Sequence, residues 1–273
     1  MKSILPDLSF SEMIEVIKIQ SVSGALKNLE LTQRPFRSPH HTITKNGLIG
    51  GGNPPKIGEI SLAHLGVLYL DEILEYKKDV IDQLREPLEE KQINISRVGR
   101  NIIFPCNFTL LASANPCPCG YYGSKKNSCK CTPSKIKNYR SKLSGPMIDR
   151  FDMVINVSEI DKDEVRENNS ELSSEIRKRV NKARKIQSER YKDESIFTNS
   201  ELSNSQISKH CIIEESAKDI LNKSFDNLKF SMRAYYKIIK VARTIADIEE
   251  SKVIKKAHLL EAMQYRSKEN GEL

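Results

Sequence analysis

A chain of 273 residues with 38% apolar residues, 29% charged residues and a net charge of +8 can bury a core of its own and suggests one or two domains. Its longest apolar runs, Gly66-Val67-Leu68-Tyr69-Leu70 and Thr109-Leu110-Leu111-Ala112, have the length of strands. A membrane helix needs roughly 18 apolar residues, so these runs argue against a membrane span. The N-terminal stretch Met1-Lys2-Ser3-Ile4-Leu5-Pro6-Asp7 lacks the apolar segment of a signal peptide, and the expectation is a cytoplasmic protein.

Ser9-Phe10-Ser11-Glu12 is a capping-box pattern. Phe10, Met13, Ile14 and Ile17 follow at helical spacing, which predicts a first helix ending near Gly24. From Arg34 to Gly58 periodicity is weak, and Gly50-Gly51-Gly52 and Pro54-Pro55 mark loop or hairpin. Val67–Leu70 reads as a buried parallel strand ending in Asp71 and Glu72. Val80, Ile81, Leu84 and Leu88 mark a helix with Pro87 late in it. Ile93 and Ile95, then Ile102 and Phe104, alternate on either side of Arg97-Val98-Gly99-Arg100, the signature of a β-hairpin with a basic tip. Thr109–Ala112 is expected to be a second buried strand and Met153–Val157 a third. Beyond residue 158 the pattern is helical: Ile176, Val180 and Ala183; Ala217, Ile220, Leu221 and Phe225; Met232 to Ala246, starting near Ser231; and Ala257, Leu260 and Met263. The expected organisation is an α/β core over 1–157 with a parallel sheet, a linker with its helix over 158–195, and an all-helical domain over 196–273.

Seven basic residues and no acid lie between Lys125 and Lys142. A polyanion partner and a solvated loop both explain such a run. Four of the six cysteines cluster as Cys117-Pro118-Cys119 and Cys129-Lys130-Cys131. Reduced cytosolic thiols at this density suit a metal better than disulfides. Four thiolates are the number for a closed Zn²⁺ site, although Cys-x-Cys is a tighter bite than the usual Cys-x₂-Cys, and a metal-free loop of thiols stays open. Cys106 and Cys211 stand alone and read as core residues.

The chemistry begins at Asp71-Glu72. A strand ending in Asp-Glu is the Walker B pattern of P-loop ATPases: the Asp holds Mg²⁺, since hard cations take carboxylate oxygens, and the Glu orients or deprotonates the attacking water. The next apolar strand leads to Asn115, the place of the polar sensor 1 residue. Asp149-Arg150-Phe151-Asp152 suits an arginine finger, whose planar, permanently charged fork matches phosphate oxygens. Ser231-Met232-Arg233 opens a helix where sensor 2 sits, making Arg233 its candidate. Arg97 and Arg100 at the hairpin tip suit contact with DNA phosphates, or are simply an exposed polar tip. His40, His41 and His64 read as loop hydrogen-bonding groups. Glu59 is either a contact to a neighbouring subunit or a solvated acid. Tyr121 and Tyr122 either stack on bases or pack on the cysteine loop.

The strings RPFRSPHHT, GEISLAHLGVLYLDEI, LREPLEE, NPCPCGYYG, LSGPMIDRFD and VARTIADIE resemble the magnesium-chelatase-like AAA+ family of the ComM/YifB type, from about Leu5 to Arg266. The resemblance implies an AAA+ P-loop core, a helical lid, ATP with Mg²⁺ as cofactors, and self-assembly into a ring, a hexamer in this family. It also implies two insertions, at Pro39–Gly52 and at the Ile93–Phe104 hairpin, and a DNA partner on which the intact protein translocates and drives branch migration in DNA uptake or recombination. The cysteine loop sets it apart from true chelatases, so no chelatase activity is expected. The family's Walker A string, Gly-x-x-x-x-Gly-Lys-Ser/Thr, occurs nowhere in these residues, nor does the family's N-terminal Lon-like domain. Walker A supplies the backbone cradle and the lysine for the phosphates. The expectation is therefore a chain inactive alone, needing a Walker A half in the intact protein or in trans. The alternative is a non-enzymatic remnant that binds DNA or protein.

Overall fold

The computed structural model describes residues 1–24, 33–97, 100–159, 171–228 and 231–266. The chain divides into two compact units, Asp7–Arg150 and Met1–Pro6 with Phe151–Leu273.

The first unit opens with α1, Phe10–Ser23. Both halves of the expected capping box form, between Ser9 and Glu12, and Gly24 closes the helix in the left-handed region. Phe10 is 74% exposed, whereas Glu12, Val16 and Ile19 face inward. Arg34 reaches Glu12 with bonds of 2.8 and 2.9 Å, and this buried pair turns the helix by about one position.

The region expected as loop or hairpin is segmented. β1, Phe36–Arg37, is followed by α2, Lys45–Ile49, then β2, Gly50–Gly51, and β3, Lys56–Ile57, which pair antiparallel. α3, Glu59–Leu62, leads to β4, Val67–Leu70, the expected buried strand. The helix expected around Leu84 is broken into α4, Lys78–Ile81, a 3₁₀ turn over Asp82–Leu84, and α5, Arg85–Glu90. β5, Gln92–Arg97, and β6, Arg100–Pro105, form the predicted hairpin, with Arg97 opposite Arg100. The side chains of Arg97 and Arg100, with Val98 and Gly99, lie outside the described residues.

β7, Thr109–Ala112, runs parallel to β4, which in turn runs parallel to β1, giving the sheet order β1-β4-β7. β4 is the central strand and is buried, with Leu68 and Leu70 almost fully enclosed. β7 was expected to be buried and is not: Thr109 is exposed and Leu110, Leu111 and Ala112 are half-buried. It lies at the sheet edge, with no second neighbour among the described residues. α6, Pro133–Arg140, and α7, Gly145–Ile148, complete the unit.

The second unit is helical: α8, Ser173–Arg190; α9, Asn204–His210; α10, Glu215–Leu228; α11, Met232–Ile248; and α12, Lys256–Gln264. α9 went unforeseen, although its Ser203–Gln206 capping box is written in the sequence. The expected strand Met153–Val157 does not form: residues 153–159 hold no regular structure, and Met153, Ile155 and Val157 are 47%, 62% and 89% exposed. Alternating apolar residues become a strand only when a ladder partner takes their backbone bonds. The core gathers Leu221, Ile238, Ala242, Ile254 and Leu259 around α11.

Inside this core sits a charged network. Asp247, at 1% exposure, binds the guanidinium groups of Arg190 and of Arg243, itself 1% exposed. Asn199 donates to the same carboxylate at 2.8 Å and accepts from Tyr191 at 2.6 Å. Arg243 also donates to the carbonyls of Ser251 and Lys252, tying the end of α11 to the turn before α12. Burial pulls the Arg190 guanidinium down, but the Asp247 carboxylate outweighs it and holds the group above its ordinary range. A buried charge survives only with such compensation.

Candidate functional site

The parallel pairing of β4 with β7 brings the exits of the two strands together. Leu70 pairs with Ala112, and the chain continues into Asp71-Glu72 on one side and Ser113-Ala114-Asn115 on the other. Ser113 Oγ donates to Asp71 Oδ1 at 2.5 Å and accepts from the Glu72 amide at 3.0 Å. Tyr69 Oη donates to the same Asp71 oxygen at 2.8 Å. Asn115 Nδ2 donates to Glu72 Oε1 at 3.1 Å. Backbone bonds from Ser113 N to Leu70 O at 3.1 Å, and from Ile73 N to Ser113 O at 2.8 Å, lock the two exits in this register.

Glu72 lies in the left-handed region, with φ +49° and ψ +53°, which costs a non-glycine residue about 1 kcal/mol. The bonds from its amide and to its carboxylate hold it there. Both acids are exposed, and each is held by neutral donors. The Ser113 hydroxyl, and after it the Tyr69 hydroxyl, draws the Asp71 carboxyl below its ordinary value, so Asp71 is ionised at neutral pH. Neutral donors orient a carboxylate without cancelling its charge, so the Asp71 carboxylate keeps its charge for a hard cation.

The structure thus brings Asp71, Glu72 and Asn115 to one place. Ser113 and Tyr69 were missed, although Tyr69 stands two residues before Asp71 and Ser113 two before Asn115, the spacing that puts strand residues on one face. Arg150 lies elsewhere in the same unit: its guanidinium binds Glu89 at 2.9 Å, Pro146 O at 2.7 Å and Arg85 O at 3.1 Å. Arg233 belongs to the helical unit, exposed in the first turn of α11 behind its Ser231 cap. Glu59 makes a two-bond pair with Arg37, at 2.6 and 2.7 Å. His64 bridges Glu15 and the Asn107 amide, both at 3.0 Å.

The basic run divides. Lys125, Lys126, Lys130, Lys135 and Lys137 are exposed. Arg140 instead donates to Pro116 O at 3.1 Å and lies 5.0 Å from the Tyr122 ring, and Lys142 donates to Leu74 O at 2.6 Å. Tyr122, on the cysteine loop, therefore packs against an arginine at the end of α6. Cys106 and Cys211 are buried, and burial pushes their thiols up to about 12 and about 11.

A parallel sheet whose adjoining exits carry Asp-Glu and Ser-x-Asn, followed by a helical unit, is the architecture of an AAA+ core with its lid. Two sequence comparisons identify the branch: the family described as "Magnesium chelatase, subunit ChlI" matches residues 1–165, and "Magnesium chelatase, subunit ChlI C-terminal" matches residues 170–266. The chain belongs to this magnesium-chelatase family, in its ComM/YifB type. It is 40% identical over 267 residues to Competence protein ComM of Haemophilus influenzae, covering 97% of this chain and 51% of that protein. It is likewise 40% identical over 270 residues to protein YifB of Escherichia coli, covering 97% and 52%. A more distant likeness, 30% over 143 residues, is to an archaeal Lon protease of Methanocaldococcus jannaschii, covering 46% of this chain and 20% of that protein. The chain spans about half the length of these two relatives, ComM and YifB. No helix among the described residues is long and apolar enough to cross a membrane.

Proposed function

We propose that this chain carries the metal- and water-handling half of an ATPase site, in a ring-forming motor of the ComM type that translocates on DNA and drives branch migration. The observation that supports this reading best is the joined strand exit, where Ser113 and Asn115 on β7 hold Asp71 and Glu72 on β4 at bonding distance. Asp71 holds the Mg²⁺ of ATP through its ionised carboxylate. Glu72 takes the proton of the attacking water, and Asn115 keeps the Glu72 carboxylate aimed at it. Mg·ATP, when bound, supplies the phosphoryl group and its electrophilic phosphorus. Arg150 reaches a neighbouring subunit's γ-phosphate once it releases Glu89, and Arg233 serves as sensor 2 from the lid. The exposed lysines of the 125–137 segment, with Arg97 and Arg100, meet DNA phosphates. A Walker A loop from outside these residues completes the phosphate cradle.

The test compares two forms. The chain alone should hydrolyse ATP negligibly; turnover of several per second, ordinary for an intact enzyme, would overturn the division of the site. In a form of the relatives' full length, carrying a Walker A loop, Glu72→Gln should retain ATP binding while turnover falls about 10²-fold or more. Unchanged turnover there would remove Glu72 from the reaction.

A further inference from the structure

The loop that follows Asn115 brings four thiols to one point. Cys117, Cys119, Cys129 and Cys131 place all their sulfurs within 4.8 Å of one another. Cys117 lies 3.4 Å from Cys119 and 3.7 Å from Cys129, and Cys119 lies 3.6 Å from Cys129. In a tetrahedral thiolate site with Zn–S of about 2.3 Å, the sulfurs stand about 3.8 Å apart. The convergence is built by the loop's backbone. Gly120 and Gly123 take φ of +82° and +84°, the Gly120 amide closes a turn onto Cys117 O at 3.0 Å, and Ser124 Oγ accepts the amides of Lys126 and Asn127. On the return arm the Cys131 amide donates to Cys129 Sγ at 3.4 Å and folds the second pair back on itself.

The geometry points to a structural Zn²⁺ held by Cys117, Cys119, Cys129 and Cys131. The Cys-x-Cys bite that looked tight in the sequence is accommodated because the two pairs approach from opposite arms, so each pair supplies one edge of the tetrahedron. Four protein ligands leave no open position for water, and the ion does no chemistry. Lys125, Lys126 and Lys130, exposed on the same loop, offset the net negative charge of a tetrathiolate zinc. Its effect is positional. Cys117 is fully buried two residues after Asn115, and Arg140 clamps the intervening Pro116 carbonyl at 3.1 Å. Closing the two cysteine pairs on one ion fixes the base of the Asn115 segment and the start of α6 together, through Thr132, which caps that helix.

The experiment is metal analysis of the whole chain purified without chelator, with thiol titration in the folded state. About one zinc per chain is expected, with the four thiols unreactive until a chelator removes the metal under denaturing conditions. Cobalt added to the metal-free chain should give thiolate charge-transfer bands and the d–d absorption of a tetrahedral site. Cys129→Ser should lower zinc below about 0.2 per chain, whereas Cys106→Ser should leave it unchanged. Less than about 0.2 zinc per wild-type chain with all four thiols freely titratable, disulfides within the cluster, or stoichiometric iron in place of zinc would each overturn the assignment. None of these readouts depends on ATP turnover.

Discussion

Two groups of acids in this chain are treated in opposite ways. Asp71 and Glu72 stand exposed at a strand exit and are held by a serine, a tyrosine and an asparagine, all neutral. Glu12 and Asp247 are buried, and arginines neutralise them: Arg34 for the first, Arg190 and Arg243 for the second. The difference separates a charge kept available from a charge used up. A buried carboxylate must be compensated where it stands or it unfolds its surroundings. An exposed one can keep its charge, and here neutral donors fix its direction while leaving the charge for a cation.

The sharpest way to break this comparison is to remove one acid of each kind. Asp247→Ala should destabilise the helical unit by about 3–5 kcal/mol, because it strands two arginines in the core. Asp71→Ala should change unfolding in urea by no more than about 0.5 kcal/mol. Equal losses from the two variants would erase the distinction.

The next largest effect concerns Arg150, which is paired with Glu89. In the full-length form Arg150→Ala should lower ATP turnover by about 10³-fold or more. Rings mixed from wild-type and variant subunits should keep turnover at their intact interfaces. No recovery in such rings would remove action on the neighbouring subunit.

Ser113→Ala tests the neutral donors directly. Asp71 should become harder to ionise, and Mg²⁺ affinity in the full-length form should fall by about 10–100-fold, the worth of one hydrogen bond to a charged group. An unchanged Mg²⁺ dependence would mean that Ser113 does not hold the site.

The smallest effect lies with Glu194, an acid held by Lys209, His210 and the neutral Gln206, all at 2.7 Å. Lys209, and after it His210, lowers its carboxyl to about 2. A depressed carboxyl contributes stability that is present above its unfolded value of about 4.3 and is lost as pH falls toward 2. Glu194→Gln should flatten the stability of the helical unit over that window and change little near neutrality, as acid titration of its helical signal would show.

What could be read from the sequence was local. The capping box at Ser9 and the Ser231 start of α11 are written in adjacent residues, and both hold. The hairpin, β4 and the Asp71, Glu72, Asn115 constellation follow from period and order along the chain. What could not be read depends on partners far away in sequence. The buried face of α1 is chosen by Arg34, 22 residues after Glu12. Met153–Val157 has a strand's alternation but finds no ladder partner among the described residues. The meeting of Ser113 with Asp71 is a product of parallel pairing across 42 positions, visible only once the register is known.

The open flank of β7 carries a practical consequence. Thr109–Ala112 presents a row of backbone donors and acceptors beside half-exposed leucines, with no neighbour on that side among the described residues. Such an edge is a template: any extended, apolar segment that meets it can add itself as another strand. Solubility of the isolated chain will therefore depend steeply on its concentration, and conditions that keep chains dilute will preserve it better than conditions that merely raise its melting temperature.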